Sequence, residues 1–244
     1  MRSGNWLRPR LRRTLRAPQR PRTCTVVSKA AHGNGIATRC GGPDGGLSCW
    51  KCHRTTDSCA FFCPTCDAIQ PLSKSCDYFD MFKIPRHFTL EPRRIEKTYW
   101  SLLKRLHPDL YGSKTEFEKE LSAANAAVVN DAYKILKTPN TRVKYLLSLD
   151  GIDALGETAS TAVDTELLMQ MMEIRERIAM ATTIDALHAI REEISNQVDA
   201  VIKKLGEVYD KDQDLEAAKR YAVELQYMVK CVEEIDLREE KLDG

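Results

Sequence analysis

The sequence has no apolar run that approaches the ~20 residues a helix needs to span a membrane. It also has no glycine-rich loop of the kind that cradles phosphate groups, which argues against a nucleotide site within the chain itself. Its apolar and charged fractions, 43% and 30%, are those of an ordinary globular protein, and 244 residues suffice for one or two domains. We therefore expect a globular chain that does not enter a membrane.

Acidic residues are missing from the N-terminal region. No Asp or Glu precedes Asp44, although ten of the 37 Lys and Arg residues lie in the first 40 positions. The rest of the chain therefore has 27 basic and 35 acidic residues. This Arg-rich segment places Trp6 or Leu7, Leu11 and Leu15 at helical spacing, which is typical of a mitochondrial transit peptide. The alternative is a basic tail that binds nucleic acid or acidic lipid, but aromatic side chains for base stacking are scarce. We predict a transit peptide over residues 1–40 and a mature protein in the mitochondrial matrix, with a cytosolic pool left open.

Four of the nine cysteines form two pairs with metal-ligand spacing, Cys49 with Cys52 and Cys63 with Cys66. Two residues between thiolates let both reach one ion, and two such knuckles complete a tetrahedral site for one structural zinc ion. We predict this tetracysteine module over residues 45–70. His53 is a substitute ligand if one cysteine fails.

Two other roles compete with zinc binding by these cysteines. A thioredoxin-like redox pair would need a βαβ pattern, which surrounds neither pair, and a reducing compartment disfavours disulfides. Glycines before the module and the segment 70–73 after it predict semi-independent motion of the module, and a homodimer through it is left open. The other five cysteines have no partner spacing and are expected to be free thiols: Cys24, Cys40, Cys59, Cys76 and Cys231.

A basic amphipathic helix over residues 92–106 runs directly into His107, Pro108 and Asp109. Residues 117–135 then form a second apolar stripe, which predicts an antiparallel helical hairpin with these three residues in its loop. Pro108 fixes its own backbone and keeps the preceding residue out of helical geometry, so the loop is short and stiff. The expected packing residues are Ile95, Tyr99, Leu102 and Leu106 in the first helix, and Phe117, Leu121, Ala124, Val128, Ala132 and Ile135 in the second.

Residues 76–151 resemble a J domain, through the segments DYFDMFKIP, YWSLLKRLHPDLYG and NDAYKILKTPNTRVKYLL. In that family the basic helix and the His-Pro-Asp loop dock on a seventy-kilodalton heat-shock chaperone and stimulate its ATP hydrolysis. The alternatives are a chance turn in an all-helical domain and a catalytic His-Asp dyad, which lacks a nucleophile and an oxyanion site. By resemblance, the residues that contact the chaperone are His107, Pro108, Asp109, Lys97, Lys104 and Arg105.

Three further helices, at about 163–180, 183–209 and 213–240, predict a three-helix bundle over residues 160–242. The first of them has two apolar faces at about 100° per residue. Its packing face comprises Leu167, Met171, Ile174 and Ile178. Its second face comprises Leu168, Met169 and Met172 beside Glu173 and Glu176, which predicts an exposed protein-binding patch unless that face packs against the J domain.

The segments LLMQMMEIRE and ELQYMVK resemble the C-terminal domain of the HscB-type iron-sulfur cluster co-chaperones, and the two-knuckle module resembles that of animal members. In that family, which lacks the module in bacteria, the C-terminal domain binds the cluster scaffold protein and delivers it to the chaperone. Tyr227 stands where the bacterial pattern has Phe, and Met172 where it has Leu. The implied scaffold contacts are Leu168, Met169, Met172, Glu173, Glu176 and Tyr227.

The resulting prediction is a mainly α protein that is not an enzyme: a zinc-knuckle module, a J-domain hairpin and a C-terminal three-helix bundle. It would bind the scaffold and the mitochondrial chaperone and so promote cluster transfer to recipient proteins. One rival is a general J-domain co-chaperone for unfolded mitochondrial clients. Another is a thiol oxidoreductase that uses the cysteine pairs.

Overall fold

The computed structural model describes residues 47–153 and 165–243, so the predicted transit peptide lies outside the described residues. Within these ranges the fold is mainly α, as predicted. A short β-hairpin is followed by the J-domain helices and then by a three-helix bundle. The elements are β1 (Leu47–Ser48), β2 (Thr55–Thr56), α1 (Tyr78–Phe82), α2 (Pro92–Leu106), α3 (Glu116–Lys137), α4 (Pro139–Leu149), α5 (Thr165–Met180), α6 (Ile184–Glu207) and α7 (Leu215–Asp243).

The hairpin of α2 and α3 confirms the predicted antiparallel pair. Helix α2 ends at Leu106 because Pro108 forces His107 into extended geometry, with φ −62° and ψ 130°. Helix α3 begins with a capping box in which Thr115 and Glu118 bond each other's backbone N–H groups. The Ser122 hydroxyl donates to the Leu106 carbonyl at 2.7 Å and closes the loop end of the hairpin.

The predicted apolar stripe of α3 was wrong by about one residue. Phe117 and Ala124 are exposed and Leu121, Val128 and Ile135 only half-buried, whereas Ala132 is buried as predicted. The prediction failed because two buried positions are polar. Ser122 donates to Leu106, and the Asn125 amide donates to the Gln70 carbonyl at 3.0 Å, so each polar group has a partner in the interior. The buried face is Ser122, Asn125, Val129, Ala132 and Leu136.

The C-terminal bundle packs through the α5 face predicted from the sequence and through buried residues of α6 and α7. In α5 the side chains of Met171, Ile174 and Ile178 are buried and Leu167 is half-buried. Arg175 pairs with Glu234 at 2.7 Å, and four residues later on both helices Arg238 donates to the Ala179 carbonyl at 3.3 Å. These two contacts show that α5 and α7 run in the same direction. Buried residues of the other two helices include Leu187, Ile190, Ile194, Val201, Leu205, Leu225, Met228 and Ile235.

The J domain and the bundle share one hydrophobic core and meet at Phe88, whose side chain is almost completely buried. The Phe88 backbone N–H donates to the Asp210 carboxylate at 2.6 Å, and its carbonyl accepts from the buried Arg142 guanidinium at 2.6 Å. The Thr89 N–H donates to the other oxygen of Asp210 at 2.9 Å. At Gly206, a Cβ would lie 2.7 Å from the Thr89 hydroxyl, so a larger residue there would require the Thr89 side chain to shift.

Candidate functional site

The residues of the His-Pro-Asp loop, His107, Pro108 and Asp109, are exposed to solvent. Residues Pro108–Tyr111 form a single 3₁₀ turn, and the side chains of His107 and Asp109 are 59% and 87% exposed. The Asp109 backbone N–H donates to His107 Nδ1 at 3.4 Å, so the imidazole caps the turn. The Tyr111 hydroxyl donates to the Arg105 carbonyl at 3.3 Å and ties the turn to the end of α2. A loop held this way loses little conformational entropy when it docks.

The predicted basic face of α2 is also exposed, at Lys97, Lys104 and Arg105. Arg105 differs from the two lysines because it has partners in the tetracysteine module. Its guanidinium lies 3.7 Å above the Phe62 ring and forms an ion pair with the Asp67 carboxylate. No local pattern in the sequence predicted this contact.

The exposed Trp100 side chain was not singled out from the sequence. It projects from α2, and its ring packs edge-on against Tyr99 with the centroids 5.1 Å apart. The signal that could have found it is a large aromatic residue outside the α2 packing stripe.

The structure brings the four predicted metal ligands together. The sulfur atoms of Cys49, Cys52, Cys63 and Cys66 all lie within 4.8 Å of one another, and two cross-knuckle pairs are 3.7 Å apart. Four sulfurs in a tetrahedron around zinc at ~2.3 Å are roughly 3.8 Å apart, so the spacing fits such an ion. Backbone N–H groups of Lys51 and Cys52 point at the Cys49 sulfur at 3.4 and 3.5 Å. The group contains no histidine, so the fallback ligand His53 is not required.

The four thiols influence one another's ionisation. Burial opposes ionisation of Cys49, but the N–H groups of Cys52 and Lys51, together with the Cys52 and Cys66 thiols, outweigh it and lower its pKa to about 6. The Ala68 N–H lowers the pKa of Cys66, but burial and the neighbouring thiols outweigh it and raise that pKa to about 12. Four sulfurs at this spacing could hold a metal ion.

The expectation that Cys59 and Cys76 are free thiols was wrong. They are joined in a disulfide that links the module to the residues before α1. Their separation of 17 residues shows no ligand pattern, and only the folded chain brings the Cα atoms to 5.6 Å. Cys231 is free, as predicted, and buried.

The module packs against the J domain, whereas its flanking segments predicted a module that is semi-independent of it. Trp50 packs edge-on against Phe117 of α3, with ring centroids 5.3 Å apart. The side chains of Phe61 and Ile69 belong to the same hydrophobic core as α2 and α3. Semi-independence was inferred from glycine and proline alone, which report on backbone freedom and not on the apolar side chains between them.

The second face of α5 is exposed and does not pack against the J domain. Leu168, Met169 and Met172 have 38%, 61% and 62% of their surface accessible. Glu173 and Glu176 beside them are exposed as well. These five residues and the half-buried Tyr227 are called the α5 patch below.

The register between α5 and α7 places Tyr227 beside this face. Arg175 pairs with Glu234, so the two helices are level at an offset of 59 residues. Two turns earlier on both helices, the same offset brings Leu168 level with Tyr227. A leucine, two methionines and a tyrosine with an acidic rim form a surface suited to binding a protein.

Comparisons with known proteins agree with this architecture. A family model described as the DnaJ domain matches residues 77–145, and one described as the HSCB C-terminal oligomerisation domain matches residues 163–236. The iron-sulfur cluster co-chaperone protein HscB of Mus musculus is 32% identical over 213 residues, which cover 86% of each chain. The human protein of the same name is 30% identical over 90% of this chain and 89% of its own length. The chain belongs to the HscB family.

As a member of that family, the protein is an iron-sulfur cluster co-chaperone with a J domain. The crystal structure of human co-chaperone protein HscB matches with a TM-score of 0.71 and 30% identity, covering 79% of this chain and 98% of that one. HscB from Vibrio cholerae matches with a TM-score of 0.60 and 29% identity, and there 68% of this chain covers 99% of the other.

In HscB terms, the DnaJ match contains α2, the His-Pro-Asp loop and α3, and the C-terminal match contains the α5 patch. The tetracysteine module precedes both. In the described part of the chain, no helix is both long and apolar enough to cross a membrane.

Proposed function

We propose that this HscB-family co-chaperone is an adaptor that brings an iron-sulfur scaffold protein to a seventy-kilodalton heat-shock chaperone and stimulates the chaperone's ATPase. One observation carries the proposal. The same body presents a stiff His-Pro-Asp loop and, on a different helical unit, an exposed apolar patch. A protein that only stimulated the chaperone would have no need to expose Leu168, Met169 and Met172 to water.

The chaperone contact is assigned to the loop and the basic face of α2. His107, Pro108 and Asp109 supply a rigid, solvent-exposed corner. Lys97, Lys104 and Arg105 supply positive charge that would steer an acidic partner surface towards it.

The scaffold contact is assigned to the α5 patch. The two methionines provide an adaptable apolar surface, and Leu168 beside Tyr227 provides a firmer anchor. Glu173 and Glu176 form the polar rim and would favour a basic partner surface. The Tyr227 hydroxyl adds a polar group to an otherwise apolar contact.

The metal assigned to the tetracysteine module is one structural zinc ion per chain. Four thiolates without an open position suit zinc in a closed, non-catalytic site. Bound there, the ion would supply the charge that stabilises four ionised sulfurs. The residues of the module would hold it and contact the J domain.

The domain organisation proposed for the full chain is a transit peptide at 1–40, the module at 45–70, the J domain at 76–151 and the scaffold-binding bundle at 160–242. The mature protein would act in the mitochondrial matrix. A cytosolic pool and a homodimer would both be compatible with this organisation. It would break no bonds itself. The free energy for cluster transfer to recipient proteins would come from ATP hydrolysed by the chaperone.

Isothermal titration of purified scaffold protein into the chain tests the proposal. Leu168→Ala combined with Met172→Ala should weaken binding by ~2 kcal/mol or more, since buried anchors in such patches commonly contribute that much each. Met180→Ala is the matched control, because Met180 is a 77% exposed methionine at the far end of the same helix. An unchanged affinity in the double variant would favour a general J-domain co-chaperone for unfolded clients instead.

A further inference from the structure

Arg105 connects the chaperone-facing helix to the tetracysteine module. Its guanidinium stacks on the Phe62 ring at 3.7 Å and pairs with the Asp67 carboxylate, and both of these residues belong to the module. Its own carbonyl accepts from Tyr111 in the His-Pro-Asp turn. One residue is therefore in contact with both the module and the loop that follows α2.

The second knuckle determines where the Asp67 carboxylate lies. Asp67 follows Cys66 directly and has a left-handed backbone, with φ 56°. Such geometry is unfavourable for a residue other than glycine, although Asp tolerates it better than most. The Asp67 N–H donates to the Cys63 carbonyl at 3.0 Å, so the turn that carries two sulfur ligands also fixes this residue.

A second connection runs through buried polar groups. The Gln70 amide donates to the Cys49 sulfur at 3.3 Å, and the Gln70 carbonyl accepts from Asn125 of α3. One turn before Asn125, Ser122 bonds the carbonyl of Leu106, the residue that precedes His107. The four-sulfur group and the end of α2 are thus joined by two independent sets of contacts.

We infer that the tetracysteine module is a positioning device for the chaperone contact. By holding Arg105 and the end of α2, the folded module keeps the basic face and the His-Pro-Asp loop in one arrangement before the chaperone arrives. Asp67 and Phe62 are then positioning residues that act through Arg105. This inference rests on the proposed function, because it assumes that the loop contacts the chaperone.

The test is the concentration of the full chain that gives half-maximal stimulation of the purified chaperone's ATPase. Asp67→Asn keeps a residue that tolerates φ 56° and removes the charge opposite Arg105. Because exposed ion pairs contribute modestly, the half-maximal concentration should rise by about two- to fivefold. The maximal stimulation, the metal content and the scaffold affinity should stay at their wild-type values.

Two further variants separate positioning from a general effect on folding. Combining Asp67→Asn with Arg105→Ala should be no worse than Arg105→Ala alone, because the aspartate acts only through that arginine. Glu193→Gln is the matched control, since it breaks an exposed ion pair with Arg177 in the bundle and should leave the half-maximal concentration unchanged.

Two results would overturn the inference. One is a half-maximal concentration for Asp67→Asn at or below that of the wild type, and the other is an Asp67→Asn effect that persists fully without Arg105. Failure of the proposed function is a separate outcome, because His107→Gln would then still stimulate the chaperone. If His107→Gln abolishes stimulation and Asp67→Asn has no effect, only the inference about the module is wrong.

Discussion

The junction between the J domain and the bundle depends on Asp210, and replacing it should loosen the junction without unfolding either part. The carboxylate is 12% exposed and accepts two backbone N–H groups, from Phe88 at 2.6 Å and Thr89 at 2.9 Å. His87 Nδ1 lies 3.5 Å from the same carboxylate. Asp210→Ala leaves both N–H groups without their acceptor.

The free-energy cost of Asp210→Ala at the junction depends on how exposed the Phe88 and Thr89 N–H groups are. Hydrogen bonds to a charged group contribute ~1.5–3 kcal/mol each when the donor is buried. The Phe88 N–H is partly buried, so most of the stabilisation from its hydrogen bond should be lost in the variant. The Thr89 N–H is exposed and can bond water instead. We expect Asp210→Ala to cost about 2–3 kcal/mol at the junction, which increases the population of the open junction by roughly 30- to 150-fold.

Amide hydrogen exchange measures this opening directly. Exchange at the Phe88 N–H should accelerate by about that factor, while the amides in the middle of α3 and α6 keep their protection. Asp210→Asn should recover part of the protection because it retains one acceptor oxygen. Asp212→Ala is the control, since Asp212 is an exposed acid in the same turn. Unchanged protection of the Phe88 amide in Asp210→Ala would refute the assignment of this contact.

Three other predictions concern single sites. Cys63→Ser should reduce bound metal from about one ion per chain to near zero, measured by elemental analysis, because a four-sulfur site loses a ligand; full retention of zinc would contradict the assigned ligand set. Cys231 is buried and burial raises its pKa, so iodoacetamide should modify it only after denaturation, as mass spectrometry of the tryptic peptide would report; rapid labelling of the native chain would show that the site opens. Gly206→Ala should lower the unfolding free energy by ~1 kcal/mol in urea titrations, because the new Cβ meets the Thr89 hydroxyl. Without that contact, replacing glycine by alanine inside a helix would raise it. Adding Thr89→Ala should restore stability, and failure to do so would exclude the clash.

Local sequence signals predicted the elements that depend on neighbouring residues. Helix α2 was predicted at its observed bounds because Pro92 starts it and Pro108 ends it. The apolar face of α5 was predicted because its repeat follows the helical period. The two cysteine pairs were predicted as well, because the two residues between the cysteines of each pair are visible in the local sequence.

The features that were missed depend on partners far along the chain. Ser122 and Asn125 read as surface residues until Leu106 and Gln70 supply their acceptors. Arg142 reads as an ordinary helical arginine, yet it is buried and donates to the carbonyls of Leu136, Phe88 and Lys137. The disulfide of Cys59 with Cys76 joins two residues that are 17 positions apart and show no pairing signal in the sequence.

The two proposed binding surfaces on one body have a consequence for dosage. Under the proposed function, each molecule engages the scaffold at the α5 patch and the chaperone at the His-Pro-Asp loop, but two molecules can also take one partner each. When the adaptor outnumbers both partners, mass action favours these incomplete pairs over the three-component assembly. Cluster delivery should therefore rise and then fall as the amount of this protein increases, so overproduction would mimic partial loss.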